Sequence, residues 1–328
     1  MKLKNILITG GAGYIGSHIS EMLFKKGFNT FILDNLSRGH QNTLLNGFFI
    51  HGDVGDEALL DQIFEQHSID AVMHFAAFID VGESVREPYR YYLNNVTQTL
   101  TLLNCMVKHK INYLIFSSTA AIFGHPLSPL IDETHVCHPI NPYGRTKLMI
   151  EKMLNDFHDA YGLKYCCLRY FNAAGGDPCG KIKYFQARPS NLIPIALRSI
   201  LTKSPMTIFG TDYPTSDGTC IRDYIHIDDL GRAHILALEK LWNSGSSYNY
   251  NLGNGKGYSV KEVIQSVENV TNQKLTVIHG CRRLGDPPIL MANSQLAEKE
   301  LGWVPQFQLL DIMVEHAWNA MQNAAHEI

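Results

Sequence analysis

The stretch Ile6-Leu7-Ile8-Thr9-Gly10-Gly11-Ala12-Gly13-Tyr14-Ile15-Gly16 joins an apolar, β-branched run to the start of a helical pattern. It holds both Gly11-x-Gly13-x-x-Gly16 and Gly10-x-x-Gly13-x-x-Gly16. Glycine is needed where a turn takes backbone angles closed to other residues, where a pyrophosphate approaches the main chain, and where a helix packs close to its strand. Phosphates then sit at the helix N-terminus, whose unpaired N–H groups and dipole favour anions. A tight structural turn uses the same glycines, but Asp34 closes the next strand eighteen residues after Gly16. A carboxylate there accepts both ribose hydroxyls and repels a 2′-phosphate, which favours NAD over NADP. Arg38 leaves an NADP alternative open.

Outward from the turn, apolar runs alternate with helical periodicity, the pattern of a doubly wound parallel (Rossmann) sheet in an α/β protein. Strands are predicted over 4–9, 30–34, 48–52, 71–75, 113–118 and 164–169, and helices over 15–26, 57–66, 88–108 and 143–161. After Asn172 the chain turns rich in Gly, Pro, Asp and Ser, with helices over 192–201, 227–241, 259–270 and 308–323 and strands at 248–252 and from 275. The reading is an NAD-binding domain over 1–172 and a smaller α/β substrate domain over 173–328, with periodicity leaving open whether 227–252 returns to the first. Asp53 and Phe75-Ala76-Ala77 fall at C-terminal strand ends, where cofactor contacts collect. An N-cap for Asp53 and core packing for Phe75 are the alternatives.

The 328 residues are 45% apolar and 18% charged with a formal net charge of −3, which gives no reason to expect nucleic acid or an acidic membrane as partner. No run approaches the ~20 apolar residues of a membrane span, and the start lacks a signal-peptide pattern. Seven cysteines without a CxxC pair read as free thiols of a reducing, cytoplasmic compartment. Fifteen histidines include no HExxH-like arrangement, so no metal is predicted.

Tyr143 stands four residues before Lys147, which puts both side chains on one helix face. A free tyrosine ionises near pH ~10, and a neighbouring ammonium, with the positive ring of NAD, is expected to draw it toward the working range. Thr119, at the end of the fifth strand, is placed to share a hydrogen bond with Tyr143 and a substrate hydroxyl. The trio suits proton removal from an alcohol whose carbon gives up hydride. A half-buried tyrosine beside a snorkelling lysine is the structural alternative. The glycine turn upstream, Ser117-Ser118-Thr119, and Pro139 and Pro142 before Tyr143 favour the chemical reading.

The segments Thr9–His18, Leu33–Ser37, Val81–Ser84, Tyr91–Val96, Phe116–Thr119, Asn141–Leu148, Leu168–Asn172 and above all Ile208–His226 resemble the extended short-chain dehydrogenase/reductases, and among them the UDP-glucose 4-epimerases, over essentially the whole chain. The resemblance implies Thr119, Tyr143 and Lys147 as catalytic residues, with Tyr143 as base and Lys147 also on the nicotinamide ribose. It implies NAD contacts at Gly10, Gly13, Tyr14, Ile15, Gly16, Asp34, Asn35, Ser37, Asp53, Val54, Phe75, Ala76, Ala77, Asn94, Ser117 and Tyr170. It implies UDP-sugar contacts at Glu83, Asn172, Asn191, Leu192, Ile208, Phe209, Arg222, Tyr224, Arg283, Asp286 and Leu290, with Thr119 and Tyr143. Arg222 and Arg283 have the fork geometry for a diphosphate.

The implied reaction is redox-neutral. The sugar 4-hydroxyl loses its proton to Tyr143 and C4 its hydride to NAD, and the 4-keto sugar turns about its diphosphate before the hydride returns to its other face. Ile79 replaces a lysine common in relatives, Phe123 a tyrosine, and Leu290 holds the position that gates N-acetylated sugars; its size favours UDP-glucose and UDP-galactose over UDP-N-acetylhexosamines or UDP-pentoses. A nucleotide-sugar 4,6-dehydratase needs an acidic pair after Thr119, where Ala120 and Ala121 stand. A nucleotide-sensing regulator would have no use for Tyr143 and Lys147. The resemblance further implies a homodimer through the helices at 88–108 and 151–161. The segment Gly180–Pro189 carries no reading.

Overall fold

The computed structural model of the chain describes residues 4–183, 189–283 and 286–325. Residues 184–188, half of the unread segment at 180–189, therefore lie outside the described residues. Seven strands, β1 (Asn5–Thr9), β2 (Asn29–Asp34), β3 (Phe48–His51), β4 (Ala71–His74), β5 (Tyr113–Thr119), β6 (Lys164–Tyr170) and β7 (Tyr248–Leu252), form one sheet in the order β7-β6-β5-β4-β1-β2-β3. Every neighbouring pair is parallel. Such a sheet is covered on both faces, so its strands read as continuous apolar runs. Successive residues still divide by face. Ile6 and Ile8 point into one core, with Ile19 and Leu23 of the first helix and Leu230 and Leu238 of a later one. Leu7 points into the other, with Leu60, Leu102 and Leu154.

The strand order reverses direction between β1 and β4, and a crevice opens at that switch point beyond the carboxyl ends of the strands. The helix Ile227–Ser244 packs on the first core, and β7 pairs in parallel with β6, with Tyr250 opposite Leu168. This part of the chain thus completes the large sheet.

The predicted helix over 88–108 is present with those bounds, but it is not α-helical throughout. It is a helical turn at Pro88–Tyr91, a π-helical turn at Tyr92–Thr97 and an α-helix from Gln98 to Lys108. A π turn inserts an extra residue while keeping side-chain periodicity nearly helical, so sequence pattern does not mark it.

A second layer sits over the crevice. Short strands Gly257–Ser259, Ile221–His226, Ile289–Ala292 and Leu130–Ile131 form a sheet in that order, with Asn172–Ala174 also paired to Ile221–His226. The helices Leu192–Thr202, Val260–Thr271 and Leu310–Ala325 share a separate core around Leu197, Val263, Val267, Met313 and Trp318. Ser259 starts the middle helix with a capping box to Glu262, so it lies outside the helix that the sequence predicts to include it.

Candidate active site

The helix Pro142–Tyr161 begins where its sequence can begin a helix. Asn141 caps it, its Oδ1 accepting the Gly144 N–H at 2.8 Å, and Pro142 occupies the first position, where no N–H is needed. Gly144 lets this end press against the loop after β5, for a Cβ there would lie 2.5 Å from the Ala121 carbonyl oxygen. Tyr143 and Lys147 are thereby sunk toward the end of β5, with 8% and 2% of their surfaces exposed. Thr119 closes β5 and is buried too.

Lys147 Nζ donates to the Ser117 carbonyl at 2.8 Å and lies 4.8 Å from the centre of the Phe116 ring. Burial pulls its pKa down to about 7, with Glu151 opposing. Burial pushes Tyr143 up to about 12, and hydrogen bonding with Thr119 pulls the other way. The expected lowering of Tyr143 by Lys147 is therefore not what the protein groups produce by themselves. Both side chains have lost their hydration, and the lysine's own charge is weakened by that loss. Beside them, Ser117 Oγ and Tyr170 OH are hydrogen bonded. Beneath them, Ser118 donates to Glu151 at 2.6 Å, and Arg169 forks onto the same carboxylate through Nε at 3.0 Å and Nη2 at 2.7 Å.

These groups face a cavity of about 440 Å³. Gly10, Gly13, Tyr14, Ile15, Gly16, Phe75, Ala77, Ser117 and Tyr170 line it with the catalytic candidates. An adjoining lobe of about 100 Å³ is lined by Asp34, Asn35, Ser37, Asp53, Val54, Ala76 and Asn94. The residues fit a dinucleotide. Gly10 has φ +68°, and a Cβ on it would stand 2.5 Å from the Ala76 amide nitrogen, so only a bare backbone passes there. Gly13 caps the first helix and, as glycine, brings no side chain of its own to that end. Asp34 accepts the Ala12 N–H at 2.9 Å and the Leu36 N–H at 2.8 Å, which holds its carboxylate at the smaller lobe. Arg38, the residue that kept an NADP alternative open, is paired with Glu83 at 2.9 Å.

Of the residues expected to meet a UDP-sugar, Glu83, Thr119, Tyr143, Asn172, Asn191, Arg222, Asp286 and Leu290 line the larger cavity. Arg222 donates to the Pro287 carbonyl at 2.8 Å and to Asp286 at 3.4 Å. Glu83 accepts from Arg38, Arg90 and Tyr91. The structure does not bring the others to the lining. Ile208 and Tyr224 are core residues, and Leu192 packs against that same core. Phe209 is exposed, with the Arg283 guanidinium 4.4 Å from its ring centre. Ile79 is exposed on the lining and Phe123 is buried.

The sequence sets Asn94-Asn95 among the segments that the Tyr143–Lys147 pair needs around it without giving Asn95 a contact; Asn95 is fully buried between the loop after β4 and the Tyr143 helix. The sequence reading missed Asn141, although an asparagine before proline is a legible helix start. Ala317, Ala320 and Met321 of the last helix also line the cavity, and no local signal marks them.

The family model described as "NAD dependent epimerase/dehydratase family" matches residues 6–253. A UDP-glucose 4-epimerase of Halalkalibacterium halodurans is 52% identical over 322 residues, spanning 98% of this chain and 96% of the relative. The crystal structure of a UDP-glucose 4-epimerase from Brucella ovis in complex with NAD superimposes with a TM-score of 0.93 at 44% identity, covering 96% of this chain and 97% of that one. A UDP-glucose 4-epimerase from Bifidobacterium longum in complex with NAD+ and UDP gives a TM-score of 0.94 at 35% identity, covering 99% of this chain and 100% of that one. With the glycine turn, the seven-stranded parallel sheet and the buried Tyr143–Lys147 pair in one chain, the protein belongs to the NAD-dependent epimerase/dehydratase family.

Proposed function

We infer that the chain is an NAD-dependent epimerase that inverts C4 of a UDP-hexose, interconverting UDP-glucose and UDP-galactose. The observation that carries the chemistry is the burial of Tyr143, Lys147 and Thr119 together where the dinucleotide cleft meets a wall bearing Arg222 and Asp286. NAD bound here supplies the hydride acceptor and a positive ring that draws the Tyr143 phenol down from its buried value. Tyr143 takes the proton of the sugar 4-hydroxyl and later returns it, so one residue serves as base and then acid. Thr119 orients that hydroxyl. Lys147, fixed on the Ser117 carbonyl, adds charge beside the phenolate and holds the nicotinamide ribose.

Arg222 grips the diphosphate, with Asp286 beside it and Asn172 and Asn191 completing the polar wall. The hexose then meets mainly apolar surface, including Leu290, and is free to turn. We assign 1–172, with 227–252 completing its sheet and core, to NAD, and the remainder of 173–328 to the UDP-sugar. Incubation with UDP-galactose, followed by separation of the sugars, is expected to yield UDP-glucose without added NAD. Conversion of neither hexose would overturn the sugar assignment, and conversion of UDP-N-acetylglucosamine alone would move it to the N-acetylated class.

A homodimer is supported by Leu93, Leu100, Met149 and Tyr161, exposed apolar and aromatic side chains on 92–108 and 142–161. Light scattering at the monomer mass would end that proposal. A cytoplasmic location is supported by seven free cysteines. Among the described residues, no helix is long and apolar enough to cross a membrane.

A further inference from the structure

We propose that Arg38 and Glu83 form a strap across the neck of the cofactor cleft and that this strap sets how slowly NAD leaves. The proposal rests on NAD occupying the cleft. Six residues line both of its lobes: Gly10, Gly13, Arg38, Phe75, Ala77 and Phe78. These define the neck, and Arg38 is the single charged side chain among them. Its guanidinium reaches from the loop after β2 to Glu83 on the helix Val81–Arg86, Nη2 to Oε2 at 2.9 Å. The pair thus joins the loop after β2 to the helix Val81–Arg86, and the same guanidinium lies 5.6 Å from the centre of the Phe78 ring.

One end of the strap is a fixed post. Glu83 accepts from Arg90 at 2.7 Å and from the hydroxyl of fully buried Tyr91 at 3.0 Å, and its side chain is 19% exposed. The Arg90 guanidinium also lies 4.3 Å from the centre of the Phe78 ring. The other end is an arm. Arg38 is 48% exposed, and Glu83 is its ion-pair partner among the described residues. Its loop is aimed by short hydrogen bonds: Asn35 Nδ2 to Asp53 at 2.7 Å, and the Ser37 N–H to Asn35 Oδ1 at 3.0 Å. Leu36 between them sits at φ +57°, a left-handed conformation costly for a branched side chain.

A dinucleotide that fills both lobes runs through this neck, beside the Arg38–Glu83 pair. An isolated surface ion pair contributes little, but a carboxylate shielded from water and held by three donors is a firmer anchor. Because the arm itself is in water, salt weakens its grip. Release of NAD should therefore accelerate with ionic strength.

The test is NAD release from the purified holoenzyme, followed by bound-nucleotide content after rapid gel filtration. Arg38→Ala and Glu83→Gln should each release NAD faster by about fivefold, and the double variant no faster than either single one. Arg38→Lys should restore most of the retention, and all variants should lose the salt dependence except that one. Thermal unfolding of each variant checks that the fold is kept. Unchanged release in Arg38→Ala would overturn the strap. Faster release in Arg38→Ala but not in Glu83→Gln would also overturn it, since Arg38 would then act on the phosphates directly. A wild-type protein that binds no NAD at all would sink the cofactor reading and the strap with it; unchanged release sinks the strap alone.

Discussion

Asn95 Nδ2 donates to Thr146 Oγ1 at 3.1 Å, tying the π-helical turn to the helix face between Tyr143 and Lys147. The Thr146 hydroxyl in turn donates to the Tyr143 carbonyl at 2.7 Å. The Asn95 amide also pairs with the Phe78 peptide in both directions, accepting its N–H at 2.9 Å and donating to its carbonyl at 3.0 Å. One buried side chain therefore joins a wall of the cofactor cleft to the helix that carries the base.

Asn95→Ala should leave the Phe78 peptide and Thr146 without their partner in a buried place. Leaving such groups unpaired costs about 2–3 kcal/mol. Urea denaturation should report that loss of stability, and turnover should fall with it as the helix start loosens. An unchanged denaturation midpoint would remove Asn95 from this role.

Tyr143→Phe keeps the ring in its buried seat and removes the group that carries the proton. Turnover of UDP-galactose should drop by at least about 10²-fold, the low end of general acid–base contributions. Activity near that of the unmodified protein would show that another residue is the base.

Gly10→Ala should do two kinds of damage. The residue has φ +68°, and the added Cβ would meet the Ala76 main chain at 2.5 Å, where no side chain can yield. A loss of about 1–3 kcal/mol is expected from the overpacking. The protein should also purify with less NAD, read from its ratio of absorbance at 260 and 280 nm. Full NAD content together with an unchanged melting temperature would contradict the close approach.

Stability should fall in mild acid. Burial lowers His18 and His234 to about 4 and His74 and His226 to about 3. The unfolded chain takes up these protons near pH ~6.5, whereas the folded chain does not until its own lower values are reached. Their contribution is complete above the unfolded pKa and is lost as pH falls toward the folded one. In that window each histidine removes about 1.4 kcal/mol per pH unit. Melting temperatures should hold level above pH ~6.5 and decline toward pH ~5. A flat profile over that range would show that these histidines are solvated.

Much of the fold was legible because its signals are local. The turn at Gly10–Gly16, the apolar strands beside it and the four-residue spacing of Tyr143 and Lys147 are set by nearest neighbours in the chain. The cofactor candidates fall on the two connected lobes, as strand ends at a switch point should. The two-residue strand Leu130–Ile131 was not legible, because two residues carry no period and its partner Met291–Ala292 lies far along the chain. Nor was the burial of Ile208 and Tyr224, which depends on helices that arrive from elsewhere.

The sequence by itself determined a doubly wound sheet with a phosphate turn, and a tyrosine and lysine one helical turn apart. Periodicity and glycine geometry act over a few residues, so they can be read in one dimension. Only the tertiary structure decided that Tyr143 rests near 12 and Lys147 near 7 rather than the reverse tendency, that Asn95 joins Phe78 to Thr146, and that Arg38 meets Glu83 across the cleft. Desolvation and cross-cleft pairing depend on every atom around a group, and those atoms come from all along the chain.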